Sequence, residues 1–291
     1  MSEKIQKILA HAGYGSRREI EGWIDAGRIT VNGKRAKLGD RATTADRMLL
    51  DGKLLQLASR GPEVIKALLY HKPEGEICTR SDPQGRPTIF EKLPAISGGR
   101  WVSVGRLDVN TSGLLLLTNN GELANQLMHP STGVEREYLA RIRGIANPQT
   151  IERLTNGKLK IDGKSARFES VSLADMAEEG TNHWYRVVIK EGRYREVRRM
   201  WEACGHTVSR LKRIRYGTVK LSRDLKSGRA AKMAPKQLEK LVVSAGLGER
   251  FKSKLYSASE RQTTGARSTG KSSGKSSGKG GAKGKPQSRR R

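Results

Sequence analysis

Cysteine is nearly absent from this chain of 291 residues: Cys78 and Cys204 stand alone and far apart in sequence. Two such residues cannot make a framework of disulfide bridges, and a chain this long needs none to stabilise its core. Met1-Ser2-Glu3-Lys4 has no apolar stretch behind it, so no secretory leader is expected, and with the scarce cysteines it points to a reducing cytoplasm. Long apolar runs are missing too. The most apolar run, Leu114 to Leu117, is far below the roughly 20 residues that span a bilayer. The five histidines, His11, His71, His129, His183 and His206, lack His-x-x-x-His spacing, and the cysteines lack Cys-x-x-Cys spacing, so no structural metal is expected. Length alone allows one large domain, or two domains with extensions.

Acidic residues are the other shortage. The 29 Asp and Glu face 57 Lys and Arg, for a net charge of +28. Residues 252–291 hold 12 Lys and Arg against Glu260, a charge of +11, which leaves +17 on the first 251 residues. A basic tail is compatible with simple solvation, but a basic body implies a polyanionic partner. Nucleic acid fits better than a membrane, because no basic amphipathic helix with a Trp/Phe/Leu face is present.

Three regions separate by pattern. In residues 1–60, Ile5, Ile8, Leu9 and Ala12 recur at helical spacing before Gly13-Tyr14-Gly15 breaks the helix. Ser16 with Glu19 forms a capping box for a second helix, whose buried stripe is Ile20, Trp23 and Ile24 and whose stop is Gly27. Ile29-Thr30-Val31, the turn Asn32-Gly33 and a return segment predict a hairpin. In residues 61–247, strands are expected at 101–105, 114–118, 134–142 and 185–189, with helices at 122–128 and around Val197, Met200, Trp201 and Cys204. Strands and helices in irregular succession argue for an α+β fold with a mainly antiparallel mixed sheet. Residues 248–291 turn into Gly/Ser/Lys repeats with almost nothing to bury, and are expected to be disordered. Gly265 to Ser272 matches a phosphate-loop pattern, but lacks the strand before and the helix after it that such a loop requires.

Gly105-Arg106-Leu107-Asp108-Val109-Asn110-Thr111-Ser112-Gly113, running on through Leu114-Leu115-Leu116-Leu117-Thr118, resembles the central motif of the pseudouridine synthase family that includes the ribosomal synthases. Three stretches support the likeness in order. Tyr70-His71-Lys72-Pro73-Glu74-Gly75 is similar to the family's opening Lys-Pro motif, and Glu135-Arg136-Glu137-Tyr138 to its tyrosine strand. Glu191 to Met200, containing Arg193-Tyr194-Arg195-Glu196-Val197-Arg198-Arg199, is similar to its basic motif. Ser16-Arg17-Arg18-Glu19 and Gly27-Arg28-Ile29-Thr30-Val31-Asn32-Gly33 resemble the S4 RNA-binding domain. The likeness covers residues 3 to 245. With the segment Arg80 to Thr88 and the basic tail, it points to the branch that acts on large-subunit ribosomal RNA, although the small-subunit synthases share every motif.

The resemblance implies an S4-like domain at 1–60, a catalytic domain at 61–247, and isomerisation of a uridine in 23S RNA. The base is detached, turned and rejoined through carbon with no net change of atoms, so no cofactor is expected. Asp108 is implied as the catalytic residue, and an ordinary aspartate (pKa about 3.9) is ionised at neutral pH. Asp108 is otherwise at home as a turn residue. Arg198 falls at the position whose guanidinium pairs with that carboxylate, and otherwise reads as one more basic residue on an RNA-facing helix. Tyr138 falls at the tyrosine that stacks on the extruded base, and otherwise reads as a core aromatic of its strand. Leu211, in Ser209-Arg210-Leu211-Lys212-Arg213, either packs against that site or is a plain core leucine. Arg106, two residues from Asp108, is placed either to fill the space a flipped nucleotide vacates or to hold the neighbouring phosphate. Lys4, Lys7, Arg17, Arg18, Arg28, Lys72 and Arg195 are expected on RNA phosphates, with Ser16 and Asn32 assisting by hydrogen bonds. The expected partner is ribosomal RNA or an assembling large-subunit particle, met by a monomer. A non-catalytic S4-type assembly factor would keep the first region and the charge, but would not need Asp108, Tyr138 and Arg198 together. A DNA-binding helix-turn-helix fits less well, because the hairpin follows the second helix directly.

Overall fold

The N-terminal apolar spacing folds as the pattern predicts. In the computed structural model, helix α1 (Ile5–His11) buries Ile5, Ile8 and Leu9. Helix α2 (Arg17–Asp25) starts at the predicted capping box, with Ser16 Oγ accepting from the Glu19 amide and the Glu19 carboxylate from the Ser16 amide, both at 3.1 Å. Strand β2 (Ile29–Val31) turns through Asn32 and Gly33 into β3 (Lys34–Arg35). Both turn residues have positive φ, 50° and 82°, which is the mirror-image turn that matches strand twist. The sheet is larger than a hairpin: β5 (Met48–Leu50) and β6 (Lys53–Leu54) extend it to the order β3-β2-β5-β6. A separate pair joins β1 (Glu3–Lys4) to β4 (Arg41–Ala42). Ile5, Leu9, Ile20, Ile24, Ile29 and Met48 close a core of their own.

The structure describes residues 2–57, 64–96, 99–175 and 181–256. The boundary expected near residue 60 therefore lies outside the described residues. Beyond it a nine-stranded mixed sheet dominates. Its strands are β7 (Ala67–Lys72), β8 (Val102–Val104), β9 (Ser112–Thr118), β10 (Arg136–Arg143), β13 (Ser170–Leu173), β14 (Asn182–Ile189), β15 (Val208–Tyr216), β16 (Val219–Lys220) and β17 (Ala230–Lys232). The order is β13-β14-β10-β15-β9-β7-β17, with β8 on β9 and β16 on β15. Every pairing is antiparallel except β15 with β9. The strand β10 alternates buried and half-exposed residues, so only one of its faces meets the core. By contrast β9 is buried along Gly113–Thr118 on both faces, which is why it reads as a continuous apolar run.

Helices α4 (Pro148–Thr155) and α5 (Glu196–Glu202) cover one face of the β13-β14-β10-β15 half, packing Leu154, Met200 and Trp201 against Tyr185 and Val208. A hairpin of β11 (Leu159–Ile161) and β12 (Lys164–Ala166) stands beside α5. Helix α3 (Gly121–Met128) follows β9 from an Asn120 cap, and α6 (Pro235–Ser244) follows β17. The tail expected from residue 248 does not begin there. Helix α7 (Gly248–Phe251) and the turn Lys252–Lys254 continue the fold against α6, with Phe251 and Leu255 fully buried. Those two apolar side chains have a surface to bury, so composition alone set the boundary too early. The phosphate-loop lookalike and the expected disorder fall in 257–291, outside the described residues.

Candidate active site

The central motif forms a loop whose backbone is held at five consecutive carbonyls, Leu107 to Thr111. After β8, Gly105 takes φ 81°, a conformation side chains resist, and the chain swings out before returning as β9. Cys78 Sγ donates to the Leu107 carbonyl at 3.4 Å. The Asp108 carbonyl accepts the Thr111 amide at 3.0 Å and the Lys72 ammonium at 3.1 Å. Val109 accepts the Gly75 amide at 2.9 Å, Asn110 the Arg198 guanidinium at 2.7 Å, and Thr111 the Lys72 ammonium at 3.0 Å. At the return, Gly113 sits against β15 so closely that a Cβ would lie 2.2 Å from the Arg213 carbonyl oxygen. The loop is thus anchored by two buried cations and a glycine contact, and the half-exposed Asp108 side chain is left facing a cleft.

That cleft has a volume of about 950 Å³. Its floor comes from β10 and β15, which present the buried Tyr138, Leu211, Arg213 and Tyr216 beside Asp108. Tyr216 donates to the Leu127 carbonyl at 2.8 Å and lies between the guanidinium groups of Arg136 and Arg213, 5.2 and 5.3 Å from its ring centre. Arg213 Nε donates to the Leu114 carbonyl at 2.7 Å, while its Nη2 is buried without a hydrogen-bond partner among the described residues. The outer wall is the 191–195 loop and the β11–β12 hairpin. Arg193 ties them by donating to the Ser165 carbonyl at 2.6 Å, and Arg199 binds Asp162 at 2.5 Å. Tyr194 projects from this wall, 70 % exposed. Glu196, buried behind Arg193, is pushed up by burial; its Oε1 lies 3.5 Å from Arg193 Nε and has no hydrogen-bond partner among the described residues.

Asp108, Arg106, Tyr138, Leu211 and Arg195, which lie far apart in sequence, all line this cleft. Arg195 sits in the left-handed conformation, φ 49°, as the residue before α5. Two expectations are corrected. Lys72 does not reach RNA: it is fully buried, and its ammonium donates to the carbonyls of Pro73, Asp108 and Thr111. Burial lowers its pKa. Arg198 makes no ion pair with Asp108; among the described residues it bridges the carbonyls of Val208 and Asn110, each at 2.7 Å. Burial and the nearby Arg195 lower its pKa, while the charge of Asp108 opposes that shift. In both cases a cation expected on a phosphate or a carboxylate serves a web of carbonyls instead. The sequence reading missed Arg136, Arg213, Tyr194 and Tyr216; the first three lie inside motifs quoted for their neighbours.

In the N-terminal part, Lys4, Arg17 and Arg18 are exposed. Lys7, ion-paired with Glu3, and Arg17 border a smaller cavity of about 200 Å³ with Arg100 and Lys254. Other candidates are committed inside the fold. Arg28 forks onto Asp51 at 2.5 to 3.2 Å. Asn32 donates to Asp46 at 2.8 Å and accepts the Arg47 amide at 2.9 Å, so its side chain closes the hairpin rather than reaching a ligand. Ser16 Oγ is occupied as the helix cap. Among the described residues no cluster of His, Cys, Asp and Glu is built to hold a metal ion, and no helix is long and apolar enough to cross a membrane.

A small domain of helices and hairpins, followed by a mixed sheet that presents an aspartate over a tyrosine-floored cleft, defines the class: the chain belongs to the RNA pseudouridylate synthase family. Residues 66–203 match that family and residues 3–47 match the S4 domain. It is 53 % identical over 230 residues to "Ribosomal large subunit pseudouridine synthase B" of Escherichia coli (strain K12), covering 78 % of each chain. The protein of the same name from Pseudomonas aeruginosa is 51 % identical over 247 residues, 85 % of this chain and 64 % of that one. The alignment therefore spans just under two thirds of the P. aeruginosa protein. A solved pseudouridylate synthase superposes with a TM-score of 0.57 at 26 % identity, over 82 % of this chain and 99 % of the other.

Proposed function

We propose that this chain isomerises a uridine of large-subunit ribosomal RNA to pseudouridine, with Asp108 as the reacting carboxylate. The observation that carries the reading is the loop itself: five consecutive carbonyls, Leu107 to Thr111, are hydrogen-bonded, and the one ionisable side chain among those five residues, Asp108, lines the cleft. Such preorganisation costs two buried cations, and a structural turn would not need it. The relatives named for this activity supply the substrate class.

In the reaction the bond from ribose C1′ to N1 of the base breaks, the base turns, and C1′ bonds to C5. The C5 proton leaves and N1 gains one, so the atoms balance without a cofactor. Tyr138 and Leu211 give the extruded base a flat apolar floor, and Arg106, exposed at the cleft rim, fills the gap in the RNA stack. Arg195 and the exposed cations Lys4, Arg17 and Arg18 meet phosphates. The N-terminal part grips a stem while the sheet domain performs the chemistry, and a single chain working in the cytoplasm suffices.

The test is to incubate the protein with large-subunit and small-subunit RNA transcripts separately and map pseudouridine. New pseudouridine at one position of the large-subunit RNA is expected. None in either RNA would overturn the activity, and modification confined to the small-subunit RNA would overturn the substrate.

A further inference from the structure

The half-sheet β13-β14-β10-β15 is covered by helices on the face that carries Tyr138, and open on the other. On β10 the open-face residues Glu137, Leu139 and Arg141 are half-buried and Arg143 exposed, although they alternate with a fully packed row. On β14 the same face shows Trp184 half-buried and Arg186 exposed. Cross-strand register then builds a basic surface. Arg141 lies directly opposite Arg210 on one side and Trp184 on the other, and Leu139 lies between Arg186 and Lys212.

Like charges directly opposite each other in a sheet repel, so Arg141 against Arg210 concentrates positive charge on this face. Glu137 holds Arg186 and Arg215, and Glu135 holds Arg215 as well. Burial raises the Glu137 carboxyl, but its bonds to Arg215 and Arg186 outweigh that and leave it below its ordinary value. Arg143, Arg210 and Lys212 have no ion-pair partner among the described residues. Beside them a cavity of about 390 Å³ opens between Trp184, Arg210, Lys212, Ser112 and Glu74. A cationic sheet face with an indole beside a recess large enough for a base matches the chemistry of an unpaired nucleotide strand: phosphates on the cations, a base on the ring.

We infer that this open face is a second RNA-binding platform, which holds an unpaired ribosomal RNA segment while the cleft on the opposite face holds the target. The inference rests on the reading that the substrate is ribosomal RNA, but not on the identity of the reacting residue. It explains why the folded body is basic on a side that does not face Asp108.

The test compares two charge-reversal pairs of equal size, Arg143→Glu with Arg210→Glu on the platform and Lys236→Glu with Lys240→Glu on the exposed side of α6. Each is titrated, without turnover, against a short target hairpin and against long large-subunit RNA. The platform pair should weaken long-RNA binding by about tenfold or more, lower its salt-dependence slope by roughly 2, and leave hairpin affinity within about threefold. The α6 pair should change both affinities by less than about threefold. Ultraviolet cross-linking of the wild-type protein to long RNA should label the peptide containing Trp184. Equal losses for the two pairs, equal losses on both RNAs, or no cross-link at Trp184 would overturn the platform. So would long-RNA binding that survives the reversal while capture of a ribosomal protein is lost. Pseudouridine formation, scored separately in wild type, tells failure of the platform from failure of the activity.

Discussion

Lys72→Met separates the two roles open to this lysine, and the structure sets the size of the effect. The side chains have similar reach, so the change deletes the ammonium with little change in packing. Asp108 and Val109 keep the amides of Thr111 and Gly75 on their carbonyls, whereas those of Pro73 and Thr111 lose the ammonium. Two orphaned acceptors at about 1–3 kcal/mol each give a loss of about 2–6 kcal/mol. Release of the buried ammonium's desolvation cost brings the net to about 2–4 kcal/mol, within a typical stability of about 5–15 kcal/mol. The variant should fold, and urea unfolding would show the loss. Turnover should suffer more. A displacement of about 1 Å in a catalytic group costs about a hundredfold, so single-turnover release of tritium from C5-labelled uridine should slow by that order. Hairpin affinity should stay within about threefold. If turnover held while affinity fell and the salt slope dropped by about 1, Lys72 would be a phosphate ligand and the buried-clamp reasoning would fail.

Three further outcomes follow from the same geometry. Arg198→Lys replaces a guanidinium that bridges Val208 and Asn110 with a single ammonium. It should slow turnover at least tenfold with hairpin affinity nearly unchanged, and a matching loss of affinity would argue against a loop-holding role. Gly113→Ala places a Cβ 2.2 Å from the Arg213 carbonyl at φ 108°; strain and overpacking should cost about 2–6 kcal/mol in urea unfolding. Asp82 is held down to about 2, from 3.8, by hydrogen bonds from Arg86. Its stabilising contribution is thus present above the unfolded value near 3.8 and is lost as pH falls through about 2. A carboxyl NMR titration should show that midpoint, and Arg86→Ala should return it toward 3.8.

Local signals carried most of what the sequence foretold. The capping box at Ser16, the turn at Asn32-Gly33 and the alternation of β10 each depend on neighbours within a few residues, and each formed as expected. The same turn signature stood unread at Asp51-Gly52 and Asp162-Gly163, where positive φ at both residues closes two more hairpins. Had Asp162-Gly163 been recognised, the outer wall of the cleft would have been foreseen. What spacing could not supply was the destination of long cationic side chains. Lys72 and Arg198 lie in motifs rich in charge, and only the folded loop shows that carbonyls claim them, rather than a phosphate for Lys72 or the Asp108 carboxylate for Arg198. Phe251 and Leu255 were lost for a related reason: in a basic, small-residue context two apolar residues look incidental until α6 offers them a surface.

The central claim is that Asp108 is the group that reacts. Asp108→Asn keeps the shape of the side chain and every backbone bond of the loop while removing the charge. Assayed side by side with wild type on the same large-subunit RNA, it should bind with affinity within about threefold and form no pseudouridine above background. Pseudouridine formation by the Asn variant at anything near the wild-type rate would contradict the assignment.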